Sequence, residues 1–202
     1  DFREGRCGFG ELDIRDVERL AIRIGWEVRN FDPDEKFNRQ QQELYDRFTQ
    51  FSLIAAEQAI RQSGLEFTGH LAADAGVVLG TSGGGLNTQD ENYRAVYEEG
   101  KNRVHPFIVP KLMNNAAASH LSMTHNLQGP SYTVATACSS SNHAIGQSFN
   151  LIRTGQSQVI LTGGSESMLC CGGIKAWEGL REMSKDCCRP FSANRTVMVQ
   201  GE

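Results

Sequence analysis

The stretch Ser131-Tyr132-Thr133-Val134-Ala135-Thr136-Ala137-Cys138-Ser139-Ser140-Ser141-Asn142-His143-Ala144-Ile145-Gly146 passes from one kind of backbone to another. Residues 131–137 are rich in β-branched side chains and predict a strand running straight into Cys138. From Asn142 to Arg153 the period changes. Ile145, Phe149 and Ile152 recur at helical spacing and predict an amphipathic helix with those three on its buried side. A strand that feeds directly into a helix is the repeating unit of an α/β sheet, and here the junction carries a thiol.

Working outward, the same alternation recurs. Ala75-Gly76-Val77-Val78-Leu79-Gly80 is a short apolar run ending in Thr81-Ser82-Gly83-Gly84-Gly85, a buried strand opening into a flexible loop. Val159–Thr162 predicts another buried strand, followed by Gly163-Gly164. Helices are expected from Asp34, as a cap, to about Phe48, over Thr49–Ser63 with Gly64 as its stop, over the polar Asp90–Lys101, over Met113–His125, and over Gly173–Glu182. Residues 1–31 mix charge, glycine and apolar positions and read as a surface region with short elements. The whole is an α/β chain with a central, mixed but largely parallel sheet covered by helices, whose function gathers where strand ends meet helix starts.

Composition narrows the function classes. In 202 residues, 39% hydrophobic and 22% charged side chains with five prolines describe an ordinary globular chain rather than a disordered one. The net charge of −4 comes with no Lys/Arg block, so no electrostatic footprint for nucleic acid or a membrane surface is present. No apolar run approaches the ~18 residues that would suggest a membrane span. The chain begins at Asp1 and stops at Gln200-Gly201-Glu202, just after the strand-like Met198-Val199, and so reads as an internal piece of a longer protein.

Six cysteines stand at 7, 138, 170, 171, 187 and 188. They include two vicinal pairs and no Cys-x-x-Cys spacing, which suits neither a zinc site nor a dense disulfide framework. Reduced, partly buried thiols are expected, and with them a cytoplasmic location. Cys138 has a distinct setting. The dipole and free N–H groups at a helix start favour a thiolate, the small neighbours Ala137, Ser139 and Ser140 leave room for a substrate, and the Cys138 N–H is placed to help bind an oxyanion. On placement alone, an unreactive buried cysteine is the commoner reading of such a turn.

Resemblance changes that weighting. Thr136-Ala137-Cys138-Ser139-Ser140-Ser141 followed by His143-Ala144-Ile145-Gly146 resembles the nucleophile motif of β-ketoacyl synthases, the condensing enzymes of fatty-acid and polyketide synthesis. Similar stretches are Ser63-Gly64-Leu65, Gly80–Gly85, His105-Pro106-Phe107-Ile108-Val109-Pro110, Asn115–Leu121, Gly129-Pro130, Thr162–Ser167 and Arg189-Pro190-Phe191-Ser192. The match is colinear from about residue 35 to 202 and is nearest to the elongating type II acyl-carrier-protein enzymes.

The resemblance implies a thiolase-like fold, of which residues 1–202 correspond to the first of two similar halves, the partial N-terminal synthase domain. It implies Cys138 as nucleophile and oxyanion-hole N–H, Gly83 and Trp177 as acyl-pocket positions, and Ile108 and Val109 as pocket positions supplied across a homodimer interface that also holds the 131–137 strand. The family's catalytic histidines and lysine lie in the second half. His70, His105, His120, His125 and His143 match none of them, and His143 reads as structural because the helix turns it away from the sulfur. The implied partner is an acyl carrier protein bearing acyl and malonyl thioesters, without metal or redox cofactor. Lys36, Arg39, Arg47 and Lys111 are candidate contacts for that acidic carrier. Two departures stand out: the triple Ser after Cys138 is polyketide-like, and Arg195-Thr196-Val197 replaces the family's Arg-Asp-Gly, which would strain Val197 if a positive φ were needed there.

Other signals point elsewhere only weakly. The Gly80–Gly85 loop lacks Gly-x-Gly-x-x-Gly spacing and a Gly-Lys-Ser/Thr, so it is no nucleotide cradle. Gly163-Gly164-Ser165-Glu166-Ser167 lacks the closing glycine of a serine-hydrolase elbow. Core packing is the plain alternative for Ile108, Val109 and Trp177. A non-catalytic, chain-length-shaping subunit of a heterodimer is the alternative function, and Cys138 counts against it. A cysteine hydrolase is the third, and it would need a histidine partner within these residues.

Overall fold

A computed structural model describes residues 2–202. Near the N-terminus, β1 (Gly10–Glu11) and β2 (Ile24–Gly25) form a two-stranded antiparallel ribbon. Short helices α1 (Pro33–Lys36) and α2 (Arg39–Leu44) precede the long α3 (Arg47–Ser63) and the short α4 (Gly69–Asp74). The strand β3 (Gly76–Gly80) leads to α5 (Leu86–Tyr97), α6 (Ile108–Leu112) and α7 (Ala116–His125). Then β4 (Ser131–Val134), α8 (Ser140–Arg153), β5 (Ile160–Gly164) and α9 (Cys171–Leu180) complete the order.

The three longer strands make one parallel sheet in the order β4-β3-β5, with Val78 opposite Tyr132 on one side and Thr162 on the other. Every residue of β3 is buried, because helices cover both faces. Val77 and Leu79 join the larger core with Phe48 and Leu53 of α3 and Ala117 and Leu121 of α7. The opposite face of β3 receives α8. A smaller core of Leu12, Leu20, Ile22, Leu169, Ile174 and Met183 holds the N-terminal segment against α9.

Several sequence expectations need correcting. The helix expected from Asp34 to Phe48 is divided into α1, α2 and the start of α3, each with its own cap. Asp32 accepts from Asp34 N–H, Asn38 and Gln41 form a reciprocal capping box, and Asp46 accepts from Phe48 N–H. Three competing caps within fifteen residues stop any one helix from propagating. The Asp34 side chain instead accepts from Gln42 Nε2 at 2.8 Å.

The α8 helix exists, but its orientation is reversed from expectation. Ser140, Ala144 and Ser148 are the buried positions, while Ile145, Phe149 and Ile152 are 49, 60 and 44% exposed. A stripe of small residues lets the helix lie close on the sheet, so the large apolar stripe points outward. The Asp90–Lys101 helix begins earlier, at Leu86, and is not wholly solvated: Arg94 is buried and pairs with Asp16 and with Asp90. At the far end, Val197 does not have a positive φ; the left-handed residue of that loop is Phe191, at φ 65° and fully exposed.

Candidate active site

The strand β4 ends at Val134, three residues short of expectation. Between it and α8 the chain turns at Ala137, which sits at φ 52°, a conformation L-residues rarely adopt. The turn is locked by Ser140, whose hydroxyl accepts from Thr136 N–H at 2.9 Å and donates to Ala137 O at 2.6 Å. Ser139 N–H and Ser140 N–H also close back onto Thr136 O and Ala137 O. Cys138 is therefore held at the crest of a rigid elbow, exposed, and its N–H donates to no group among the described residues. Ser140 was legible only as a small neighbour that leaves space; the structure makes it the clasp of the turn.

Glycines at the strand ends explain how the elbow can stand there. A Cβ on Gly80 would lie 2.3 Å from the backbone of Ser140, so only glycine lets β3 end directly beneath the start of α8. Gly164, at the end of β5, leaves the same room for Ser141. His143 Nδ1 lies 2.7 Å from Thr136 Oγ1, a hydrogen bond across seven residues that engages the imidazole with the strand side of the elbow.

A cleft of about 460 Å³ is lined among others by Gly83, Leu112, Met113, Tyr132 and Ala135, and not by Cys138 itself. Cys138 stands three residues beyond Ala135 on the same chain. The Gly83 loop is tied down from afar by Glu166, whose carboxylate accepts from Thr81 Oγ1 at 3.1 Å, Ser82 N–H at 2.7 Å, Ser82 Oγ at 2.5 Å and Gly83 N–H at 3.2 Å. Nothing in the residue pattern signalled this carboxylate beyond its place in the 162–167 motif.

The structure brings the expected pocket residues together only in part. Gly83 faces the cleft. Ile108 and Val109 begin α6, four and three residues ahead of Leu112 in the cleft wall, with Ile108 half-buried and Val109 63% exposed. Trp177 packs against the smaller core rather than in the cleft. Of the basic residues, Lys36 and Arg39 are exposed. Arg47, however, is committed to a two-pronged ion pair with Glu202, at 2.7 and 2.6 Å, and Lys111 donates to Gln42 O at 3.1 Å. A separate, strongly charged cleft of about 660 Å³, which includes Asp46, Glu91, Lys111 and Cys170, lies between α3, α5 and α9. Burial pushes its Cys170 thiol up to about 11 and raises the Asp46 and Glu91 carboxyls, so Cys170 is not a thiolate at neutral pH.

All six cysteines are free, and no cluster of metal-ligating side chains exists among the described residues. None of their helices is long and apolar enough to cross a membrane.

An exposed cysteine on a strained elbow between a parallel strand and a helix, with glycine-ended strands beneath it, agrees with a family model described as "Beta-ketoacyl synthase, N-terminal domain", which matches residues 3–202. The chain belongs to the β-ketoacyl synthase family. A nodulation protein E from Rhizobium sp. (strain N33) is 37% identical over 202 residues, covering 100% of this chain and 50% of the relative. A 3-oxoacyl-[acyl-carrier-protein] synthase 2 from Staphylococcus aureus (strain N315) is 28% identical over 98% of this chain and 49% of its own length. The solved structure of the ishigamide ketosynthase/chain length factor superposes with a TM-score of 0.86 over 98% of this chain and 49% of that one, at 21% identity, a likeness of fold. The fold is thus the thiolase-like α/β arrangement expected from the synthase motifs, and the chain spans about half the length of the curated relatives it matches.

Proposed function

We propose that the protein carrying this chain is an acyltransferase that extends acyl chains by decarboxylative condensation, with Cys138 as its nucleophile. The observation that supports this reading above others is the Cys138 elbow: an accessible sulfur, an unengaged N–H on the same residue, and a helix start immediately behind.

The Cys138 sulfur attacks the carbonyl carbon of an acyl thioester on a carrier protein. A C–S bond to the enzyme forms, the oxyanion accepts from the Cys138 N–H, and the carrier's thiol leaves with the proton. Decarboxylation of a malonyl carrier thioester then gives a carbanion equivalent, which attacks the acyl-enzyme, releases the Cys138 thiolate and yields a 3-oxoacyl carrier thioester two carbons longer. Covalent capture splits one difficult step into two, and ping-pong kinetics follow. Donors that hold the malonyl carbonyl oxygen come, in this reading, from histidines of the second half. The 460 Å³ cleft beside Gly83 receives the acyl chain.

The partners proposed are an acyl carrier protein and a second copy of the same protein. The strand β4 is an edge of its sheet with Ser131 and Tyr132 exposed, and Val109 is exposed on α6, which suits a twofold contact. Six free thiols suit the cytoplasm. The test is intact-mass analysis of the complete protein after incubation with an acyl carrier thioester. An acyl adduct on Cys138, lost in Cys138→Ala, supports condensation; no adduct turns the reading towards a chain-length subunit.

A further inference from the structure

We propose that Glu166 is a positioning residue for acyl-chain selection, fixing the Thr81–Gly83 loop as one wall of the cleft that Gly83 shares with Tyr132 and Ala135. This inference deepens the functional reading above and rests on it.

The loop contains Gly83, Gly84 and Gly85 in succession, so its own residues do little to hold it in one conformation. Its ends are bonded to Val134 O and Leu112 O, and its middle is held from more than eighty residues away. Both oxygens of the Glu166 carboxylate are used, and all its partners are donors: Thr81 Oγ1, Ser82 N–H, Ser82 Oγ and Gly83 N–H. Thr81 Oγ1 itself accepts from Gly84 N–H at 3.3 Å, so its single proton is the one given to Glu166. A carboxylate is the side chain that offers acceptors on two oxygens to four converging donors; an amide replaces one oxygen with a further donor.

The anchor is itself anchored. Ser165 N–H donates to Gly80 O at 3.2 Å and its hydroxyl donates to Phe48 O at 2.8 Å. Ser167 is fully buried, accepts from Asn87 Nδ2 and donates to Glu202. Glu166 is thus clamped on both sides, and it grips the middle of a loop whose two ends are bonded to Val134 O and Leu112 O. Behind Gly83 the wall is Glu166 and Met168: a Cβ on Gly83 would lie 3.3 Å from Glu166 Oε1 and 3.0 Å from Met168 Sδ. In front of Gly83 is the cleft. Releasing the loop therefore changes the cleft wall that a long acyl chain would contact, and reaches a short chain held near the sulfur much less.

The experiment uses the complete protein and compares wild type with Glu166→Ala, Glu166→Gln and Ser82→Ala. Acylation of the Cys138 sulfur is followed by intact mass across a series of acyl pantetheine thioesters from short to long. Each variant's melting temperature is recorded. The expected result is a rise in KM for long chains that exceeds the rise for short chains by roughly tenfold in Glu166→Ala. Glu166→Gln falls between it and wild type, and Ser82→Ala, which keeps the backbone donors, shifts the same way but less. A uniform loss across all chain lengths, or an unchanged long-to-short ratio in folded variants, overturns the proposal while leaving the Cys138 reading intact. If Glu166→Ala does not fold, the Ser82→Ala ratio decides, and an unchanged ratio there overturns it too. A wild-type protein that is never acylated on Cys138 overturns the functional reading and this inference with it.

Discussion

The carboxylate of Asp46 joins Thr88 to α3: its Oδ2 accepts from the Thr88 N–H at 2.9 Å and the Thr88 hydroxyl at 2.6 Å, while Oδ1 caps α3 at Phe48 N–H. One buried side chain thereby sets the starts of two helices, and the second of them, α5, follows the Gly83 loop.

Asp46→Ala strands those N–H donors in a buried setting and should cost about 1–3 kcal/mol, measured by urea denaturation. The pH dependence carries a definite sign. Burial raises the Asp46 carboxyl above its ordinary range, against the lowering effect of Thr88, Phe48 and Lys111. A raised folded value means that the group's contribution is fully present below the unfolded value near 3.8 and is lost as pH rises through the folded value. The stability of wild type minus that of Asp46→Asn should therefore shrink between acid and neutral pH. A difference that grows with pH contradicts this account.

Thiol reactivity should divide by environment. Iodoacetamide at pH 7.5 should label the exposed Cys7, Cys138 and Cys188 and leave Cys170, held near 11 by burial, and the buried Cys171 unmodified in the folded chain. Peptide mass mapping reads the pattern. Labelling of Cys170 at the rate of Cys188 would show that the charged cleft is open in a way the structure does not have.

Two neighbouring glycines should behave oppositely. Gly83 has an ordinary backbone, and a side chain there meets a flexible Met168 sulfur at 3.0 Å and Glu166 Oε1 at 3.3 Å, so Gly83→Met should fold with modest loss and change product length by pushing on the Glu166-held loop from behind the cleft. Gly84 lies at φ 57° with Asn114 Oδ1 2.4 Å from where a Cβ would be, and Gly84→Ala should cost about 1–3 kcal/mol. Melting temperatures and product chain lengths distinguish the two. An unchanged product distribution in folded Gly83→Met removes that residue from the acyl pocket.

The outward stripe on α8 should govern solubility of residues 1–202 expressed alone. With Ile145, Phe149 and Ile152 exposed in a row, that polypeptide should self-associate and lack malonyl-dependent condensation. Ile145→Gln combined with Phe149→Gln should reduce association in sedimentation velocity without creating activity. A monomeric, fully active 202-residue polypeptide would refute both the missing histidine donors and the exposed face.

The sequence by itself determined the three parallel strands, the helices α3, α5, α7, α8 and α9 to within a few residues, the thiol at a strand-to-helix junction and the family, because these rest on local signals: the apolar run 76–80, the stop at Gly64, and the motif around Cys138. It did not determine α4 or α6. It also placed Ile145, Phe149 and Ile152 on one helix face. It did not determine which way that face points, since a period defines a stripe and not the surface it meets; the close fit of Ser140, Ala144 and Ser148 against the sheet decided that. Likewise the left-handed turn at Ala137, the spending of Arg47 on Glu202 and the grip of Glu166 on Thr81, Ser82 and Gly83 belong to tertiary structure. Each needs groups far apart in the chain to meet at hydrogen-bond distance, and no local pattern of residues encodes that meeting.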